Sequence, residues 1–155
     1  MRALTRRREA GFTLAELVMV AALLAMLAGM AMPVAKFTVK RRKEMELRLA
    51  LRQMRTAIDE YKRLSDQGMI PIKVSGEGYP ETLEELVEGV EIVGQNTKRK
   101  FLRRIPVDPF TKEQEWGLRS YQDESDSMSW GGENVYDVYS LTEGIALDGT
   151  EYKDW

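Results

Sequence analysis

The chain contains no cysteine and no histidine among its 155 residues. Without cysteine no disulfide can form, even in an exported protein whose surroundings would permit one. The two absences together remove the commonest general base, the thiol nucleophile and most zinc-site designs. An enzyme built on this sequence would have to use carboxylate, Ser, Thr, Lys or Tyr chemistry, and no nucleophile triad, P-loop or metalloprotease spacing occurs. A basic excess is lacking as well, with 23 Lys and Arg against 25 Asp and Glu. That balance gives no footing for nucleic-acid binding, which draws on strongly basic domains. The length allows one apolar anchor and one compact domain, and not two full cores.

Long apolar runs are scarce too, and the single exception is informative. Leu17 to Ala35 is a stretch of nineteen residues without a charge, enough as a helix to cross a hydrocarbon core of about 30 Å. Glu16 stands at its entrance. An ionisable group in a membrane segment calls for a named partner. A cut between Gly11 and Phe12 would remove a basic leader and create an amine about one helical turn before Glu16, which is a natural counter-charge. Arg2, Arg6, Arg7 and Arg8 favour a cytoplasmic leader, whereas Lys36, Lys40, Arg41, Arg42 and Lys43 follow the run. The first apolar helix usually decides orientation, which places the C-terminal part outside. An ordinary signal anchor whose Glu16 snorkels to the interface is an alternative. A secretory signal peptide fits worse, because its cleavage site would follow the apolar run.

The segment Gly11-Phe12-Thr13-Leu14-Ala15-Glu16 resembles the prepilin cleavage and methylation motif of type IV pilins and type II secretion pseudopilins. Ala15 stands where a larger aliphatic residue is common in that family. The resemblance implies that a prepilin peptidase cuts between Gly11 and Phe12, that the Phe12 amine is methylated, and that Glu16 helps draw subunits into a helical homo-oligomeric filament. It also implies a structural subunit and no enzyme, held in the inner membrane lipid with its C-terminal domain in the periplasm. Its partners would be other pseudopilins and an inner-membrane assembly platform, with no nucleic acid. Many type IV pilins close their C-terminal region with a disulfide, so the absence of cysteine leans toward a type II secretion pseudopilus. A type IV pilus subunit or a minor pseudopilin is the nearest alternative. A membrane-anchored periplasmic binding module or hydrolase, using the carboxylates of 122–133, is the alternative of another class.

Beyond the apolar run, Met45, Leu47, Leu51, Met54, Ile58, Tyr61 and Leu64 recur mainly at spacings of three and four, which predicts an amphipathic continuation of the helix. From Thr13 to Leu64 such a helix would span about 75–80 Å. Lys36 to Arg63 carries ten basic and four acidic side chains, leaving the remainder acidic. This asymmetry suits head-to-stem packing between subunits or contact with anionic lipid. Pro33 cannot bond the carbonyl of Gly29, and Gly29 adds backbone freedom. The pair marks a weak point where the stem would kink or unwind as subunits pack. By resemblance this is where pilin-like filaments melt their stem.

Gly68, Pro71, Gly76 and Gly78 punctuate a loop from Ser65 to Tyr79. Thr82-Leu83-Glu84-Glu85 reads as a capping box for a short helix ending at Gly89, and Val90 to Lys100 is ambiguous. The two prolines in Phe101 to Phe110 exclude a central strand, so this segment is expected as an extended loop clamped onto the stem. It resembles the leucine-proline-x-aspartate-proline-aromatic segment of the major pseudopilin, the G subunit. Trp116 to Tyr121 and Asn134 to Leu141 read as strands around a mobile loop.

The expected fold is therefore α+β and pilin-like, a long N-terminal helical stem packed on a small antiparallel β-sheet domain. Its parts are a leader (1–11), an assembly helix (12–35), an amphipathic continuation (36–64) and a head (65–155). The tail from Tyr136 to Trp155 also resembles the G subunit, where the corresponding loop holds calcium. Calcium takes six to eight oxygens, and Ser140, Glu143, Asp148 and Asp154 are the candidates here. The chain departs from the family in having Thr142 to Gly149 where a glycine-alanine-aspartate-glycine turn is usual. Asp148-Gly149 also reads as a plain turn.

Overall fold

The computed structural model describes residues 11–71, 77–94 and 97–155, with side chains at all of these except 30–34. The leader residues 1–10 lie outside the described residues, as do Gly76 and the side chain of Pro33. The chain divides into two compact units, Met1–Val39 and Lys40–Trp155. A single helix, α1 (Leu14–Asp66), contributes to both.

In the first unit the described side chains of α1 are exposed throughout. The helix is assigned without interruption across Gly29 and Pro33. Among the described residues no helix is long and apolar enough to cross a membrane. The span expected at 12–35 is to that extent not recovered, because the uncharged run includes the five positions whose side chains lie outside the description.

The second unit forms around the C-terminal part of α1. Leu47, Leu51, Met54, Ile58, Tyr61 and Leu64 are buried, joined by Ala50 and Ala57, a set spaced to share one face of a 3.6-residue helix. Met45 departs from expectation, with 58 % of its surface exposed. It precedes Leu47 by two residues, which turns it about 200° away from the core. Leu49, four residues on, shares its exposed face.

The rest of this unit comprises α2 (Leu83–Glu88), β1 (Val90–Glu91), β2 (Lys98–Arg99), β3 (Gly117–Arg119), β4 (Asp137–Tyr139) and a 3-10 turn at Tyr152–Asp154, and Leu83, Leu86, Val138 and Tyr152 join the α1 residues in one buried cluster. Both strand pairs are antiparallel, with Val90 opposite Arg99 and Leu118 opposite Val138. The small sheet is thus two separate two-stranded sheets. β3 and β4 are shorter than the sequence predicts because their flanks bond elsewhere. The Val135 N–H donates to Pro80 O, and the Ser120 N–H to the Asp123 carboxylate.

Neither bond of the expected box at the start of α2 is made, and Glu85 instead bonds the residue before the cap. Thr82 makes no side-chain cap bond, while Glu85 Oε2 accepts the Glu81 N–H at 3.1 Å. Gly89 ends the helix at φ 83°, where an added Cβ would lie 2.7 Å from Arg99 O. Glycine is required there both for the left-handed backbone and for the close approach of β2. At Gly117 a Cβ would fall within the Tyr139 ring.

The proline-flanked segment clamps as expected. The Phe101 and Leu102 N–H groups both donate to Leu86 O at 2.9 Å. The Phe101 ring lies 5.4 Å from that of Tyr61 on α1, and Trp116 Nε1 donates to Pro106 O at 3.0 Å.

Candidate functional site

The start of α1 is built by Thr13. Its carbonyl accepts the Leu17 N–H at 3.1 Å, and its Oγ1 accepts the Glu16 N–H at 3.2 Å. This is the N-cap arrangement in which a hydroxyl satisfies one of the orphan amides of the first turn. Thr13-Leu14-Ala15-Glu16 therefore has capping-box spacing, with Glu16 as the acid in the first turn. Gly11 and Phe12 precede the helix in irregular backbone. An added Cβ at Gly11 would meet nothing within 4 Å, and Phe12 is 77 % exposed. The peptide bond between them is thus open to a protease, and cutting it removes no part of the cap. Glu16 is exposed.

Thr13 escaped the sequence reading although its signal was present, since threonine followed three residues later by glutamate is the pattern recognised at Thr82. The other positions expected to serve assembly stand on α1, where Gly29 is exposed with open space around it. Pro33 contributes backbone only to the described helix.

In the second unit, buried polar groups staple the tail and the proline-flanked loop to their surroundings. Asp108 is fully buried. Its Oδ1 accepts the N–H groups of Phe110 (2.7 Å) and Thr111 (3.4 Å), and its Oδ2 accepts the hydroxyls of Ser140 (2.5 Å) and Thr142 (3.2 Å). Glu44, buried on α1, accepts the Leu147 N–H and the Tyr152 hydroxyl, each at 2.9 Å. Burial, reinforced by that bond to Glu44, pushes the Tyr152 phenol up to about 12. Arg55 reaches the Asp137 carboxylate at 2.6 Å, Val138 O at 2.9 Å and Trp155 O at 2.8 Å. These bonds join segments far apart in the chain once it is folded.

Two of the residues considered for calcium, Ser140 and Asp148, bond to other side chains of the unit. Ser140 donates to Asp108. Asp148 accepts the Thr150 hydroxyl (2.6 Å) and the Arg48 guanidinium (2.6 Å); the Thr150 bonds first, then Arg48, hold its carboxyl below the usual range. Glu143 and Ser140 line one surface groove while Asp148 lines another. Among the described residues no group of three or more Asp or Glu is placed to hold a metal ion.

A long N-terminal helix followed by a small antiparallel two-sheet region is an α+β pilin-like arrangement. Residues 6–32 match the family model described as the prokaryotic N-terminal methylation motif. That motif indicates a type IV pilin-like or pseudopilin protein, anchored through its N-terminus and associated with a membrane. It points to processing by a prepilin peptidase and to assembly with other pilins, the properties of a structural subunit. No curated protein and no solved structure matches the chain.

Proposed function

We propose that the chain is a structural subunit of a type II secretion pseudopilus, cut between Gly11 and Phe12, methylated at Phe12 and polymerised into a periplasmic fibre that drives protein export. The observation that carries this reading is the match of residues 6–32 to the methylation motif, joined to an exposed Gly11–Phe12 bond directly ahead of a capped helix. The assignment to type II secretion is supported by the likeness of Ile105-Pro106-Val107-Asp108-Pro109-Phe110 to the corresponding segment of the major pseudopilin, and by the absence of cysteine.

In this reading residues 12–35 reside in the inner membrane before assembly, and the fibre repacks the same residues against neighbouring stems. Burial of an unpaired carboxylate in an apolar environment is costly. The Phe12 amine of one subunit therefore pairs with Glu16 of the next and sets the register. Gly29 and Pro33 supply the weak point at which the stem adjusts as it packs. The test is Glu16→Ala in cells that carry the secretion apparatus. Membrane association should persist while fibres and export are lost. Fibres of normal abundance from this variant would remove the proposed pairing.

A further inference from the structure

A groove of about 530 Å³ lies between α1 and the segment that follows β2. Arg52 and Thr56 on the helix, and Phe101, Arg103 and Arg104 on the segment, line it. Neighbouring arginines have ion-pair partners within the chain, Arg55 in Asp137 and both Arg63 and Arg99 in Glu60. Arg52, Arg103 and Arg104 have no hydrogen bond or ion pair among the described residues, and all three are exposed. Three guanidinium groups facing one concavity repel one another, and no carboxylate among the described residues is bonded to them. Arginine presents planar donors suited to carboxylates, and Phe101 gives the groove an apolar floor.

The same chain carries a surface of matching character. The loop from Gln122 to Glu133 is pinned at its neck, since Asp123 Oδ2 accepts the N–H groups of Ser120 (2.7 Å) and Gly131 (3.1 Å). Arg119 Nε and the Tyr139 hydroxyl bond its carbonyls at Ser127 and Met128. Held this way, the loop leaves Glu124 and Asp126 exposed, and their carboxylates have no partner among the described residues. Beside its base, Tyr121 and Tyr136 pack edge to face with rings 5.5 Å apart and remain 54 % and 46 % exposed. Exposed tyrosine faces attract guanidinium groups.

From this complementarity we infer that the Arg52–Arg103–Arg104 groove is a docking site for the 122–133 loop of a second copy of this chain. A groove and a loop of opposite charge at different places on one chain give, when they meet between copies, a heterologous, head-to-tail contact, which propagates along a helical assembly and does not close as a pair. The inference rests on the filament reading for its occupant. Unpaired charges on both faces would also make the contact selective for partners of this polarity.

The natural chain has no cysteine, so engineered cysteines report only the chosen contact. Thr56→Cys, in the groove, is combined with Ser125→Cys, between Glu124 and Asp126, in the full chain, and membranes of producing cells are oxidised. A ladder of disulfide-linked multimers is expected from the double variant and from neither single variant. Adding Arg103→Glu with Arg104→Glu should reduce the ladder at least about tenfold, and further adding Glu124→Lys with Asp126→Lys should restore it. Absence of the ladder, or indifference to charge reversal, overturns the inference. Intact mass on the same membranes separates the two readings. Subunits beginning at Phe12 without a ladder refute this contact and leave the pilin reading standing, and a ladder from unprocessed subunits does the reverse.

Discussion

Replacing Asp108 by alanine tests whether the head is held by its buried polar staples. The carboxylate is fully buried and serves four donors, of which the Phe110 N–H and the Ser140 hydroxyl make the shortest bonds, 2.7 and 2.5 Å. Ser140 is itself fully buried, so its hydroxyl finds no water once Asp108 is truncated. Each buried donor left unpaired costs about 1–3 kcal/mol, so losing these two should remove about 2–6 kcal/mol. For a domain of this size each kcal/mol moves Tm by about 4 °C or more, which puts the expected drop at about 8 °C or beyond. Asp108→Asn keeps the shape and one acceptor, and the hydroxyls can rotate to accept from its amide; its loss should be about 1–2 kcal/mol. The assay is thermal unfolding of the full chain in detergent followed by near-ultraviolet circular dichroism. An alanine variant melting within about 3 °C of the natural chain would refute the argument.

Three further outcomes follow. Thr13→Val should cost the first turn of α1 about 1 kcal/mol, read as faster amide exchange at Glu16, with Thr13→Ser restoring protection; unchanged exchange would mean that the hydroxyl does not cap. Tyr152 has its phenol raised in the folded state, so its stabilising contribution is complete below the unfolded phenol value near 10 and is lost as pH rises through about 12. Tyr152→Phe should remove that part of the alkaline destabilisation, measured by stability curves between these limits. Gly117→Ala drives a Cβ into the Tyr139 ring and should cost about 1–3 kcal/mol, concentrated as lost protection in β3 and β4.

Local and periodic features were legible in the sequence. The uncharged run, the motif at Gly11 to Glu16 and the three-four spacing from Leu47 to Leu64 all report on one helix, whose bonds are made within its own segment. Gly89 and the prolines of the 101–110 segment act through their own backbones, and they too read correctly. What stayed hidden depends on partners distant in the chain. Asp108 meets Ser140, Glu44 meets Tyr152, and Arg55 meets Asp137, and no spacing rule connects such pairs. Met45 was misassigned because an apolar residue counts toward a periodic pattern even when it falls about 200° out of phase. β1 and β2 lay in a segment too short and too polar to show alternation. Asp123 looked like one more acid in a polar loop, yet it ties the neck of that loop. Its carboxyl is held below the usual range by the Ser120 and Gly131 amides, an arrangement that only folding creates.

Intact mass of the chain from membranes of cells with and without the prepilin peptidase bears most directly on the pseudopilin account. The account predicts a peptidase-dependent species that begins at Phe12 and carries one added methyl group. An identical, unprocessed N-terminus in both strains would contradict it and would leave a simple anchor ahead of a head domain whose function lies elsewhere.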